Sequence, residues 1–303
     1  MQHNIKIFSG SSNLELSKKI CSSVGVELSN LEISRFKDGE ISIFVNENVK
    51  NSHCFIIQSL CSPVNDNLME LLISIDAIKR SHASRITAVI PYMGYSRQER
   101  RCREGDPISA RLVSKMISVS GADDVILLDL HADQIEGFFD IPVSHVSSFE
   151  NFANDIKNIR GFNSEDFVIV APDVGAAKKT RAFSKLLGCN MAIIDKNRSK
   201  ANCSEVMNII GDVLSKNVIL IDDIIDTAGT ISNASKSLVE IAGAKDVYIY
   251  ATHAVCSGPA FERLSSSYIK QVVFSDSIPI SPCSNIRVVS ISNILSEKIK
   301  TLM

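Results

Sequence analysis

The sequence predicts an α/β protein built on two mainly parallel sheets, each flanked by helices, and three observations carry that prediction. Short β-rich apolar runs alternate with amphipathic helical patterns. Each run is apolar along its whole length, as strands buried on both faces are. The series occurs twice, once on either side of the irregular stretch 147–166. In the first series Leu68, Leu71, Leu72, Ile75 and Ile78 share one helical face and RITAVIPY (85–92) follows as a strand. Residues 108–119 then read as a helix closed by Gly121, before DVILLDL (124–130) enters another strand. In the second series the strands are DFVIVAP (166–172), NMAIIDK (190–196), NVILIDD (217–223) and VYIYATH (247–253). Helices stopped by Gly188 and Gly243 lie between them. Domains are therefore expected at 1–147 and 148–303, with the C-terminal tail able to pack back on the first.

Composition bounds the function. The chain has 303 residues, 45% of them apolar, and 32 Lys+Arg against 34 Asp+Glu leave a net charge of -2. That is enough apolar chain for two cores and too little positive charge for a duplex nucleic acid or an anionic membrane to be the expected partner. The start, MQHNIKIFSG, has neither the basic nor the long apolar region of a signal peptide, and no apolar run approaches spanning length, so a cytoplasmic protein is expected. Eight cysteines without a C-x-x-C pair are expected to be reduced, mostly buried thiols rather than zinc ligands.

Ionisable residues collect just past the apolar runs: Asp129 and His131, Asp173, Asp195 and Lys196, Asp222 and Asp223, and His253. One acid after a strand is ordinarily a turn or cap residue, but five strands ending this way suggest one ligand crevice at the carboxyl ends of the strands. The sharpest segment is VILIDDIIDTAGT (218–230), a buried strand ending in two acids and a small-residue turn that opens a helix. Asp226, Thr227, Ala228, Gly229 and Thr230 can turn backbone N–H groups and two hydroxyls toward an anion at the helix start. Asp222 and Asp223 can accept hydrogen bonds from the vicinal hydroxyls of a ribose. The G-x-x-x-x-G-K-[ST] pattern of a Walker loop is absent.

This segment resembles the phosphoribosyl-diphosphate loop of the type I phosphoribosyltransferase fold. The blocks RFKDGE (35–40), PVNDNLMELL (63–72), RITAVIPYMGYSRQER (85–100), DLHADQIEGFFDIPV (129–143), APDVG (171–175), IDKNR (194–198), IDDIIDTAGT (221–230) and ATHAVCSGPA (251–260), in that order, resemble the ribose-phosphate diphosphokinases over nearly the whole length. The resemblance implies two phosphoribosyltransferase-like domains and transfer of a diphosphoryl group from MgATP to the anomeric hydroxyl of ribose 5-phosphate. It implies that residues 226–230 hold the 5-phosphate and that Asp222 and Asp223 hold the ribose. Phe36, Asp38, Gly39, Glu40, Arg97 and Gln98 are implied for ATP, His131 and Asp173 as magnesium-linked positions, and Lys196 and Arg198 as the cations of a catalytic loop, Arg198 also touching ribose 5-phosphate. It further implies an active site shared between subunits and a hexamer. Glu99, Ala176, Asn197 and the segment 101–107 depart from the family pattern, the last in a regulatory loop. A phosphoribosyltransferase consuming the same product would need only one such domain. The alternative is a non-catalytic regulatory homologue, which would have no use for Lys196, Arg198 and the acidic loop.

Overall fold

The computed structural model describes residues 4–197 and 206–303, and for 196–197 and 206–207 the backbone alone. The chain forms two compact units. One comprises Met1–Ser147, Ser277–Pro279 and Ser290–Met303, the other Ser148–Asp276 and Ile280–Val289.

The first unit begins with β1 (Ile5–Ser9) and α1 (Leu14–Val24) and continues through a hairpin of β2 (Leu31–Arg35) and β3 (Ile41–Val45). It then runs through β4 (His53–Ile57), α2 (Val64–Arg80), β5 (Arg85–Ile90), α3 (Ser109–Ser120), β6 (Asp124–Leu128) and β7 (Val143–Val146). The five-stranded sheet has the order β1-β4-β5-β6-β7 and is parallel throughout. Every residue of β4 and β6 is buried because both faces are covered. Phe8 and Ile56 point toward Leu71 and Ile75 of α2 and Val113 of α3, while their neighbours Ile7 and Phe55 point toward Leu16 and Ile20 of α1. Gly121, at φ 116°, ends α3 where the sequence predicts.

In the second unit α4 (Phe149–Lys157) precedes β8 (Phe167–Ala171), α5 (Ala177–Leu187), β9 (Asn190–Asn197), β10 (Val206–Ile210) and β11 (Asn217–Ile225). Then come α6 (Gly229–Glu240), β12 (Asp246–Ala254), α7 (Ala260–Leu264), β13 (Gln271–Ser275) and β14 (Ile286–Val289). The seven-stranded sheet runs β10-β9-β8-β11-β12-β13-β14, with only β10 antiparallel to its neighbour. Alternate residues again serve opposite faces. Val168, Val170 and Leu220 meet Ile231 and Leu238 of α6, whereas Ile169 and Ile221 meet Phe152 of α4 and Phe183 of α5. The Arg287 guanidinium grips the Asp155 carboxylate at 2.6 and 2.5 Å, and Tyr250 Oη donates to the same carboxylate at 2.7 Å, tying β14 and β12 to α4.

Two expectations need correction. The stretch 147–166 is not simply an irregular connector. It holds α4, whose Phe152, Ala153 and Ile156 lie in the second unit's core; with Phe149 they follow the i, i+3, i+4, i+7 spacing of a helix face. His253 does not lie past its strand. β12 continues to Ala254, paired there with β11, and His253 is 2% exposed within it.

The chain ends in α8 (Ser292–Leu302), which belongs to the first unit and packs on α1. Ile291, Leu295 and Ile299 are fully buried against Ile7, Leu16 and Ile20. Leu295→Ala should therefore lower stability by about 2–5 kcal/mol in denaturant melts, because the cavity it leaves lies inside a packed layer. Val119→Ala, at a position 81% exposed, should change it by less than about 0.5 kcal/mol.

Candidate functional site

In the second unit the site is shaped by strand lengths. β8 pairs with β11 only as far as Leu220↔Val170, and with β9 only as far as Ala171↔Ile193. Beyond those points β11 continues against β12 through Asp222↔Ala251 to Ile225↔Ala254, and β9 continues against β10 through Asp195↔Asn208 and Lys196↔Met207. A short central strand between two longer ones leaves a notch at its carboxyl end. The chain also reverses its direction of travel across the sheet here, going from β8 to β9 on one side and reaching β11 on the other. This is the topological switch point at which open parallel sheets bind ligands.

Asp173 follows β8 at the floor of the notch, with Asp222 and Asp223 on the β11 wall. The Asp173 Oδ1 accepts from Ala176 N at 3.0 Å, so the carboxylate is oriented by the chain that leads into α5. Gly175 keeps that turn open, since a Cβ there would lie 3.2 Å from the same oxygen. Asp223 N donates to Asp222 Oδ1 at 2.9 Å. Burial raises the Asp222 carboxyl well above the ordinary carboxylate range, and the neighbouring charges of Asp223 and Asp173 add to the shift. Acids that oppose one another's ionisation call for hydroxyl donors or a cation beside them. Among the described residues no three histidines, cysteines or carboxylates are grouped as a metal cage, so an ion here would draw most of its ligands from water and substrate.

Past β11 the chain turns sharply. Ala228 adopts a left-handed conformation, φ 58° and ψ 8°, directly before the first residue of α6. Residues 229–231, the first turn of that helix, carry N–H groups that no helical carbonyl can reach, so this end of α6 favours an anion. Thr227 and Thr230 are exposed beside it, and Ala228 is buried beneath.

The first unit presents its candidates on separate elements. Phe36, Asp38, Gly39 and Glu40 form the exposed tip of the β2–β3 hairpin, shaped by Phe36 N donating to Glu40 O at 2.8 Å and by Gly39 at φ 97°. Arg35 fixes the tip, donating to Gly39 O at 3.1 Å and pairing with Asp66 of α2 at 2.8 Å. Phe36 is 59% exposed, which removes it from the core and leaves a ring face able to stack. Arg97 and Gln98 lie after β5, Gln98 Oε1 accepting from Ser109 Oγ at 2.6 Å at the start of α3.

His131 follows the adjacent β6, so its turn leaves the same end of the sheet as the Arg97 loop. Within that turn Asp129 is held at φ 37°. Two residues that sequence reading passed over hold the turn. Leu130 N donates to His145 Nε2 at 3.0 Å, and the His145 Nδ1 faces Glu136 Oε1 at 2.8 Å. An N–H pointing at Nε2 requires that nitrogen to accept, so the proton sits on Nδ1 and is donated to Glu136. Their signal in the sequence was only proximity to the DLHA block. Lys196 lies on β9, its side chain outside the described residues, as is the whole of Arg198 and the polar stretch 199–204.

The acidic notch has a cost that depends on pH. Asp222 binds its proton more tightly in the folded than in the unfolded chain, so stability is fully present below the ordinary carboxyl range and is lost as pH rises through the raised value. Asp222→Asn should thus have a higher Tm than the parent chain, by an amount that grows with pH and vanishes toward acid. A Tm gain independent of pH in calorimetric scans would contradict the electrostatic account.

The comparisons with known proteins agree with this architecture. Residues 5–121 match the N-terminal domain of ribose phosphate pyrophosphokinase, and residues 198–303 match the phosphoribosyl synthetase-associated domain. The ribose-phosphate pyrophosphokinase of Clostridium tetani is 50% identical over 303 residues, covering 99% of this chain and 94% of the relative. That of Fusobacterium nucleatum is 47% identical over 300 residues, covering 98% and 94%. The crystal structure of phosphoribosylpyrophosphate synthetase from Mycobacterium smegmatis superposes with a TM-score of 0.92 at 38% identity, covering 99% of this chain and 98% of that one. With sequence agreement from end to end and one shared fold, the chain belongs to the ribose-phosphate pyrophosphokinases and is an enzyme of that kind.

Proposed function

We propose that this enzyme transfers the β,γ-diphosphoryl group of MgATP to the anomeric hydroxyl of D-ribose 5-phosphate, giving 5-phospho-α-D-ribose 1-diphosphate and AMP for nucleotide biosynthesis. The observation that carries the reading is the notch at the end of β8. Its acids suit a ribose diol, and the anion-favouring start of α6 follows one short turn later in the chain. In this reading residues 226–230 hold the 5-phosphate and Asp222 and Asp223 orient the sugar. The Phe36 ring, Asp38, Gly39, Glu40, Arg97 and Gln98 hold ATP, with the hairpin tip contributed to the site of a neighbouring subunit. Its exposure in the single chain supports that sharing, and we take the assembly to be a hexamer.

Asp173 and His131 are the positions linked to magnesium, Asp173 being the better direct ligand because the ion prefers oxygen. When bound, the ion neutralises phosphate charge and keeps the polyphosphate in one geometry. The anomeric hydroxyl gives up its proton to solvent as its oxygen attacks the β-phosphorus, the bond from that phosphorus to the α,β-bridging oxygen breaks, and negative charge grows on the departing AMP. Lys196 and Arg198 offset that charge, so their contribution is greatest in the transition state. The chain is proposed to act in the cytoplasm, without nucleic acid or membrane partners. No helix among the described residues is long and apolar enough to cross a membrane.

Phosphorus NMR of the purified protein with MgATP and ribose 5-phosphate should show AMP and an anomeric diphosphate. A folded protein that forms neither would make a regulatory role the better reading. Lys196→Ala should lower kcat by orders of magnitude, at least about a hundredfold, while the KM for ribose 5-phosphate stays nearly unchanged. Asp223→Ala should instead raise that KM by about tenfold or more, the worth of a charge-assisted hydrogen bond to the sugar.

A further inference from the structure

Three successive carbonyls, from the last residue of β11 through the turn before α6, are held by one short stretch of chain. Cys256 N donates to Ile225 O at 3.0 Å, Ser257 N to Asp226 O at 3.0 Å, and Arg263 Nη1 of α7 to Thr227 O at 2.8 Å. In a planar trans peptide the carbonyl and the following N–H point in opposite directions. Drawing these three carbonyls toward residues 256–263 therefore turns the N–H groups of Asp226, Thr227 and Ala228 away from it. A run of N–H groups facing one way is what an anion-binding turn needs.

The third bond differs from the other two because a side chain makes it. It acts on the peptide that leads into Ala228, whose left-handed φ of 58° is disfavoured for any residue with a Cβ. Such a conformation persists only where its surroundings impose it. The guanidinium also lies against the next residue, since a Cβ on Gly229 would stand 3.3 Å from Nη1.

We propose that Arg263 is a positioning residue for the sugar phosphate. It holds the 226–230 turn in its anion-binding shape from behind, through the Thr227 carbonyl. The proposal rests on the reading of that turn as the 5-phosphate site. Arg263→Ala should raise the KM for ribose 5-phosphate about tenfold, the loss of one hydrogen bond from a charged donor, while kcat and the KM for ATP change by less than about twofold. Arg263→Lys, which keeps a cationic donor, should lose less.

The diagnostic variant is Ala228→Gly, because glycine adopts the left-handed conformation without steric penalty. The fold-change in KM that Arg263→Ala causes should be several-fold smaller when it is made in the Ala228→Gly background than when it is made in the parent chain. A merely structural role for Arg263 would not produce that dependence on residue 228. Asp223→Ala is the control for the underlying reading: a KM insensitive to it removes the sugar site and the proposal with it. A KM sensitive to Asp223→Ala but not to Arg263→Ala or Arg263→Lys overturns the role of Arg263 alone, as would equal losses in kcat and in both KM values. Where Arg263→Ala folds poorly, Arg263→Lys with and without Ala228→Gly reads the same coupling.

Discussion

A parallel sheet covered on both faces leaves only the ends of its strands for polar chemistry, and the rest of this molecule follows from that constraint. Strand interiors are mostly apolar, so a carboxylate placed there would lose its hydration without compensation. In the second unit the constraint is sharpened by unequal strand lengths. β8 stops while β9 and β11 continue, so Asp195, Asp222 and Asp223 can stay on hydrogen-bonded strands and still border a gap. The acids have the rigidity of a sheet and the access of a loop.

That arrangement trades stability for readiness. Asp222 is held where its ionisation is opposed by burial and by two neighbouring acids, and Ala228 is held in a backbone region that suits glycine. Both are tolerable because the cores on either side of the second sheet are closely packed and because α4 is fastened to β12 and β14 through Asp155. A ligand with vicinal hydroxyls and a phosphate would relieve the acids by hydrogen bonding and occupy the N–H groups at the start of α6. Preorganisation of this kind moves the energetic cost of the bound geometry into folding, so that less of it opposes binding. The first unit repeats the pattern on a smaller scale: Asp129 at φ 37° stands at the end of β6, and the turn is held by His145 and Glu136.

Among the described cysteines Cys102 and Cys283 are exposed, whereas four others are closed off from thiolate chemistry. Cys21, Cys54, Cys61 and Cys189 are buried, and loss of hydration pushes Cys21 and Cys189 up to about 11 and Cys54 up to about 12. They serve as small apolar residues at physiological pH.

The sequence by itself determined the strand–helix alternation, the helix stops at Gly121 and Gly188, the acid just past β8 and the turn into α6, whereas α6 ends at Glu240, before Gly243, and β11 runs on past Asp222 and Asp223 to Ile225. Each feature so determined is written in local spacing: apolar runs buried on both faces, a 3.6-residue period, and residue types with one dominant backbone preference. The helix inside 147–166 was written there too, in Phe149, Phe152, Ala153 and Ile156, but a polar, loop-like composition hid its period. Only the tertiary structure decided that β8 ends before its neighbours, that His253 is interior and that the C-terminal helix completes the layer on α1. It alone decided that His145 and Arg263 support turns they are not adjacent to in sequence. These depend on which strands become neighbours and how far each pairing runs. Pairing between distant segments is set by the summed packing of both faces, a quantity that no local window of sequence contains.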